Sequence, residues 1–385
     1  MTDGPYLHLA AAAHADRQQL ATIIELAQNG SDTVIPAPRN ILVSYHYFKG
    51  YDLNRFAGLR VIGDSGAFSA KHQGAEISTA QLAAWGQKWR HRLCWLAALD
   101  VIGDQAATRR NWHEMVDGHG MPGVPTVHFG AEPQALDYYG KRGVDFVGLG
   151  GLVGRPAPAQ MRWLVAMFRY ARDAWPDMRF HGWGITHADA LKLPFFSVDS
   201  SGWGGGYRYG RLSLRDPLST KVHTLDLNGR ETYAPEVARL LRDHYGVNPS
   251  EVATSGPHNR LLMVRLSALS ASVQEQQFRH LHRRNRVPAP KWGQLDSLEP
   301  THPGPNLHLA GTGQCRDLTT TEGGPHLHQA MERANSCEKG EVAGVIGLLA
   351  EEQQRTNAGP HIHLAEGSSE HLETVAKLSQ GASAQ

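Results

Sequence analysis

Two aspartates follow short apolar runs in a way that suits chemistry at a sugar. Asp64 closes Arg60-Val61-Ile62-Gly63 and opens a small turn, Ser65-Gly66-Ala67, that ends on the ring of Phe68. Asp199 follows Phe195-Phe196-Ser197-Val198, a run expected to be buried, and leads into Ser200-Ser201-Gly202-Trp203. Two carboxyl groups facing one cleft can divide labour: one attacks an anomeric carbon while the other carries protons, and configuration is retained by double displacement. Phe68 offers a flat surface to a planar ligand. Each aspartate taken alone also has a plainer reading. Asp64 could bond its own backbone in an Asp-Ser-Gly turn, and Asp199 could cap a backbone segment or pair with a cation.

The elements that must position them follow a βαβα rhythm. Short runs rich in β-branched or aromatic residues recur at 40 to 48, 60 to 68, 93 to 101, 124 to 129, 145 to 151, 179 to 185 and 195 to 200, with helical periodicity between them. Ser78 or Thr79 can cap a helix that puts Leu82, Trp85 and Trp89 on one face, and residues 161 to 175 repeat the pattern through Leu164, Phe168 and Ala171. An eighth strand is expected either at 6 to 10 or between 218 and 234. Asp64, Asp100, His128, Gly150 and Asp199 fall at or near the C-terminal ends of different strands, so an α/β fold of the (β/α)8, TIM-like barrel type is expected over residues 1 to 290. No glycine-rich phosphate loop follows the first strand, which speaks against a nucleotide cofactor. Residues 202 to 210 read as a mobile glycine-rich loop, and residues 235 to 245 and 261 to 281 as helices.

Pro288, Pro290 and Pro303 mark a boundary, after which residues 291 to 385 form a His- and Gly-rich extension of helical or irregular character. It carries a repeat, G-P-x-[LI]-H-[LQ]-A, at 304 to 310, 324 to 330 and 359 to 365, and another copy stands at 4 to 10. His326, His328, His361 and His363 with Cys315 and Cys337 fit no common zinc spacing, so no metal is expected.

Across 385 residues, 38 Lys and Arg against 37 Asp and Glu leave a net charge of +1, too little for a global field to hold a polyanion. Nucleic-acid contacts would have to come from local clusters: Arg279, His280, His282, Arg283, Arg284 and Arg286, with Arg208 and Lys221 as further candidates. Three dispersed cysteines, Cys94, Cys315 and Cys337, suit a reducing cytoplasm rather than a disulfide framework. No run of eighteen apolar residues occurs, so no membrane partner is expected.

The ordered set Asp64-Ser65-Gly66-Ala67-Phe68, Asp100 in Leu99-Asp100-Val101, Gly148-Leu149-Gly150-Gly151-Leu152 and Asp199 resembles the tRNA-guanine transglycosylase superfamily over about residues 40 to 203. Within it, Phe180-His181-Gly182-Trp183-Gly184 and Ser197-Val198-Asp199-Ser200 are similar to stretches of the phage and bacterial enzymes that insert 7-deazaguanines into DNA. The resemblance implies that Asp199 is the nucleophile, Asp64 the proton-transfer partner and Phe68 the stacking ring. It implies that Ser65, Gly66, Asp100, Gly150, Gly151 and Leu152 contact the base, with His128 where the family has a purine-reading glutamine. The tRNA enzymes carry a C-x-C-x-x-C plus His zinc site after the nucleophile, whereas this chain has no cysteine between 95 and 314, so structural zinc is not expected. The implied reaction exchanges guanine for a base such as 7-cyano-7-deazaguanine in DNA, tRNA being the less favoured polymer, without redox cofactor or ATP. Its implied use is protection of DNA against restriction, in the cytoplasm or, if phage-encoded, that of the host. A nucleosidase or N-glycoside hydrolase on the same barrel would use the same two aspartates.

Overall fold

The computed structural model describes residues 5–10, 17–185, 187–226, 233–253 and 257–284. The extension at 291 to 385, with its three repeat copies, its histidines and Cys315 and Cys337, lies outside the described residues, as does Arg286.

The strands are β1 (Tyr6–Ala10), β2 (Asn40–Ser44), β3 (Arg60–Asp64), β4 (Leu93–Leu96), β5 (Thr126–His128), β6 (Phe146–Gly150), β7 (Arg179–Gly182) and β8 (Ser197–Ser200). They form one eight-stranded parallel sheet in the order β4-β3-β2-β1-β8-β7-β6-β5. Ala97, just past β4, makes a parallel bridge with Val124, just before β5, which ties the two outermost strands of that order. The arrangement is TIM-like. Of the two places expected for the eighth strand, 6 to 10 is the one used; it is the repeat copy nearest the N-terminus, and all five residues are buried. A second pair, β9 (Arg211–Arg215) and β10 (Val222–Asp226), forms an antiparallel hairpin apart from the main sheet.

The helices in chain order are α1 (Arg17–Asn29), α2 (Tyr45–Phe48), α3 (Ala67–His72), α4 (Thr79–Lys88), α5 (Gln105–His113), α6 (Asp137–Gly140), α7 (Ala157–Ala174), α8 (Ala188–Leu191), α9 (Gly205–Tyr209), α10 (Pro235–Asp243), α11 (Pro249–Ala253) and α12 (Pro257–Arg284). Ser78 is the residue that caps α4, its hydroxyl accepting from the Gln81 amide at 3.2 Å. Leu164, Phe168 and Ala171 of α7 are buried as their spacing requires.

Several strands stop earlier than their apolar runs suggest. Residues 45 to 48 and 67 to 68 turn helical where the ladder ends at Ser44 and Asp64; after Asp64 the turn is held by the Asp64 and Ser65 side chains, which accept from the Gly66 and Ala67 amides. The glycine-rich stretch expected to be a mobile loop is a 3-10 turn, Gly202–Gly204, followed by α9. Glycine there serves close approach: a Cβ on Gly206 would stand 2.9 Å from Leu212 Cδ1 and 3.0 Å from Ser267 Oγ on α12.

The sheet wraps a packed interior. His8, Trp95 and His181 are each fully buried and meet edge-on, Trp95 also meeting Phe146. At the N-terminal ends of the strands, Arg179 is buried between the Phe146 and Phe196 rings and bonds Asp145 Oδ2 at 2.9 Å. Glu275 of α12 accepts from the Leu7 amide at 3.0 Å, from Asn40 Nδ2 at 2.6 Å and from Arg279 Nη1 at 3.0 Å. This carboxylate pins the last described helix to the strand nearest the N-terminus.

Candidate active site

Asp64 and Asp199 both stand at C-terminal strand ends, on β3 and β8, with β2 and β1 between them. Register places Asp64 beside Ser44 and Asp199 beside His8. Asp199 is buried and Asp64 half-buried, and each carboxyl accepts from a backbone amide: Gly66 N–H donates to Asp64 Oδ2 at 3.0 Å, and Gly184 N–H to Asp199 Oδ1 at 2.9 Å. The plainer readings of both residues are therefore realised as well, since the same bonds that end a strand also aim a carboxylate.

Burial pushes the Asp64 carboxyl up to about 7, and the charges of Asp100 and Asp199 push the same way against the Gly66 amide and the Ser44 hydroxyl. Burial likewise raises Asp199 to about 7, opposed by the Gly184 amide and its own. Two carboxyls brought to the same range titrate as a pair. The asymmetry lies in their neighbours. Asp64 faces two other carboxylates and so is the better place for a shared proton, whereas Asp199 has donors around it and keeps the charge.

Asp100, just past β4, is tied to both sides of the cleft: Ser65 Oγ donates to its Oδ1 at 3.1 Å, and His128 Nε2 lies 2.9 Å from its Oδ2. Ser65, Asp100 and His128 are thus one connected polar unit beside Asp64. Gly66 is held at φ +80°, and a Cβ there would come within 2.6 Å of both His46 Cβ and Ser44 Oγ, so the turn demands glycine twice over. Phe68 opens α3 from that turn with 53% of its surface exposed.

The glycine-rich segment does less facing of a ligand than its resemblance implies. A Cβ on Gly148 would lie 2.3 Å from Trp183 Nε1, and one on Gly150 would lie 3.0 Å from Thr126 Cγ2 and 3.1 Å from Trp183 Cδ1. Both glycines make room for Trp183, whose Nε1 donates to Thr126 Oγ1 at 3.1 Å. Leu152 is buried and its carbonyl already accepts from Arg155 N and Gln160 Nε2. Gly151, at φ +71°, carries the turn beside His128.

Among the described residues, Arg279, His282 and Lys221 do not gather at this rim. Arg279 lies with Glu275, Asn40 and Arg60 at the start of β3, about 13 Å along the strand from Asp64. Its guanidinium lies 5.3 Å from the Tyr6 ring centroid. His282 points inward, fully buried, with Nε2 3.0 Å from the Leu191 carbonyl, and burial lowers its pKa to about 4, so it offers no charge to phosphate. Lys221 pairs with Glu236 at 2.8 Å on the β9–β10 hairpin. His280, Arg283 and Arg284 belong to the last turns of α12, where the side chains of Arg283 and Arg284 lie outside the described residues. Arg208, on α9 just after β8, is on the Asp199 side and donates to the Ser201 carbonyl. Arg155, which the sequence reading passed over, follows β6 at the same end, is exposed, and stacks 5.5 Å from the Phe129 ring centroid.

Two further residues stand in a stretch that the resemblance covers without giving either a role. His181 lies 3.3 Å from Asp199 through Nε2, and Trp183 packs edge-on against it at 4.3 Å. Their signal was the Phe180-His181-Gly182-Trp183-Gly184 string, but only register reveals that it lies beside the strand of Asp199.

Among the described residues no three His, Cys, Asp or Glu side chains cluster as a metal site requires, and no helix is long and apolar enough to cross a membrane. Comparison with protein-family models and with curated proteins found no match.

Proposed function

We propose that this chain closes its sheet into a (β/α)8 barrel and exchanges guanine for a 7-deazaguanine, such as 7-cyano-7-deazaguanine, in nucleic acid. The observation that carries the reading is the Asp64–Asp199 pair, two strand-end carboxyls raised to the same range, with Asp64 beside a hydrogen-bonded polar unit of Ser65, Asp100 and His128. Asp199 attacks C1′ of the target nucleoside. The C1′–N9 bond breaks, its electron pair passes to the departing guanine, and Asp64 supplies the proton. The incoming base then displaces Asp199, and Asp64 takes its N9 proton, so configuration is retained. Asp100 and Phe68 hold the base during both steps, one by its polar edge and one by stacking.

DNA is the favoured polymer, because the chain lacks any cysteine between 95 and 314 and so cannot build the zinc site of its tRNA-acting counterparts. A paired base must leave the stack for its sugar carbon to reach Asp199. The chemistry calls for no redox cofactor or ATP, and protection of DNA from restriction in a bacterial cytoplasm is the role such an exchange serves.

The deciding experiment incubates the full chain with duplex DNA, single-stranded DNA or tRNA together with 7-cyano-7-deazaguanine, followed by nucleoside mass spectrometry. Deazaguanosine appearing in DNA supports the reading. Incorporation into tRNA alone corrects the polymer. Guanine release without incorporation would replace exchange by hydrolysis.

A further inference from the structure

His181 sits where the nucleophile is held. It is fully buried on β7, with Trp95, Trp183 and His8 meeting its ring edge-on at 4.7, 4.3 and 6.2 Å. Its Nδ1 lies 2.8 Å from Ser197 Oγ and its Nε2 3.3 Å from Asp199 Oδ1, across the His181–Ser197 register pair of β7 and β8. Burial lowers its pKa well below the ordinary value, so the ring is neutral and has one N–H and one lone pair. An ionised Asp199 can only accept. The network therefore assigns the proton to Nε2, which donates to Asp199, and leaves Nδ1 to accept from the Ser197 hydroxyl.

We propose that His181 is a positioning residue for the nucleophile: Ser197 fixes its tautomer, and its Nε2–H joins the Gly184 amide on Asp199 Oδ1, presenting Oδ2 to the sugar. This rests on the base-exchange reading above and adds to it a residue that no motif assigned. His181 neither gains nor loses a proton when the Oδ2–C1′ bond forms and C1′–N9 breaks; the proton for guanine comes from Asp64. Its two bonded neighbours also remain bonded in the covalent ester, because Oδ1 becomes the ester carbonyl and still accepts.

The groups that bear on Asp199 are His181 from β7, Asp64 from β3 and, behind His181, His8 from β1, which burial also holds neutral. Removing the Nε2–H donor should therefore raise the Asp199 pKa and move the acid limb of the reaction upward.

The test is single-turnover formation of a denaturant-stable adduct between the full chain and guanine-containing DNA across pH, with His181→Leu, His181→Gln and Ser197→Ala. At pH 7, His181→Leu should slow adduct formation about 100-fold while half-saturating DNA changes less than about twofold, the loss expected of a misaimed nucleophile. His181→Gln, whose amide can donate from the same side, should recover to within about tenfold, and Ser197→Ala should fall between. A folded His181→Leu that reacts like the parent with an unmoved acid limb overturns the proposal. Should His181→Leu fail to fold, Ser197→Ala decides: a parental rate and acid limb overturn the proposal, and a slowed rate with a raised limb supports it. If the parent chain itself forms no adduct, the base-exchange reading falls and takes this one with it.

Discussion

Asp199 raises the pKa of Asp64 from across two intervening strands of the sheet, β2 and β1, so two residues 135 positions apart in sequence behave as one titrating unit. Neither carboxyl is near its ordinary value of 3.8, and burial is the largest cause for both. A site built this way keeps one proton and one negative charge near neutrality, the state that attack at C1′ with departure of a basic leaving group requires.

The rate of adduct formation should therefore be bell-shaped around pH 7. The acid limb reports Asp199 losing its charge, and the alkaline limb reports Asp64 losing its proton. Asp199→Asn should abolish the adduct, a loss on the order of 10³-fold or more. Asp64→Asn should remove the alkaline limb as well as slowing the reaction, and pH–rate profiles of the two variants check both statements.

The same burial should cost stability. A carboxyl raised to about 7 in the folded chain holds a proton that the unfolded chain has lost by pH 5, so stability falls as pH rises from about 4 through 7. Asp64→Asn cannot ionise and should be more stable than the parent at pH 8 by about 1–3 kcal/mol, with the gain shrinking at pH 4. Urea unfolding at the two pH values measures the difference, and an equal effect at both would remove Asp64 from the pH dependence.

Gly66→Ala should be among the most disruptive single-methyl changes in the chain. Its φ of +80° disfavours any side chain, and the added carbon would meet His46 Cβ and Ser44 Oγ at 2.6 Å. A loss of about 2–4 kcal/mol is expected from strain and overpacking together. Because the Gly66 amide also bonds Asp64, activity should fall by more than the unfolded fraction explains, which comparing adduct yield with unfolding curves would show.

Cations at the two ends of the strands should differ in their effect on DNA binding. Arg155→Ala and Arg208→Ala, at the carboxylate end, should each weaken DNA about threefold to tenfold and lower the slope of log affinity against log salt by about 1. Arg279→Ala and Lys221→Ala should leave that slope unchanged, since these residues pair with Glu275 and Glu236 away from the cleft. Fluorescence anisotropy at several salt concentrations separates the two groups, and an altered slope in Arg279→Ala would place the nucleic acid elsewhere.

Much of the frame was legible because period and strand-end chemistry are local properties. The runs at 40, 60, 93, 124, 145, 179 and 195 each contain a strand of the sheet, and the capped α4 and the amphipathic α7 follow from spacing alone. Where those strands end was not legible, since apolar residues such as Tyr45 and Phe48 suit a helix facing the core as well as a strand. The fate of residues 202 to 210 escaped for a related reason: glycine signals freedom in a sequence, but here it admits Leu212 and Ser267 against a short helix.

The sequence by itself marked which residues could act, because a carboxylate after an apolar run disfavours further burial and so falls near the end of its strand, where solvent or a cleft is in reach. Only the tertiary structure decided which of them act together. Pairing of β7 with β8 set His181 on Asp199, pairing of β3 with β4 and the Ala97–Val124 bridge put Asp100 between Ser65 and His128, and the packing of α12 carried Arg279 to the far end. Those are relations between strands distant in the chain. Burial, which raises both carboxyls and keeps the imidazole neutral, exists only once the strands have packed.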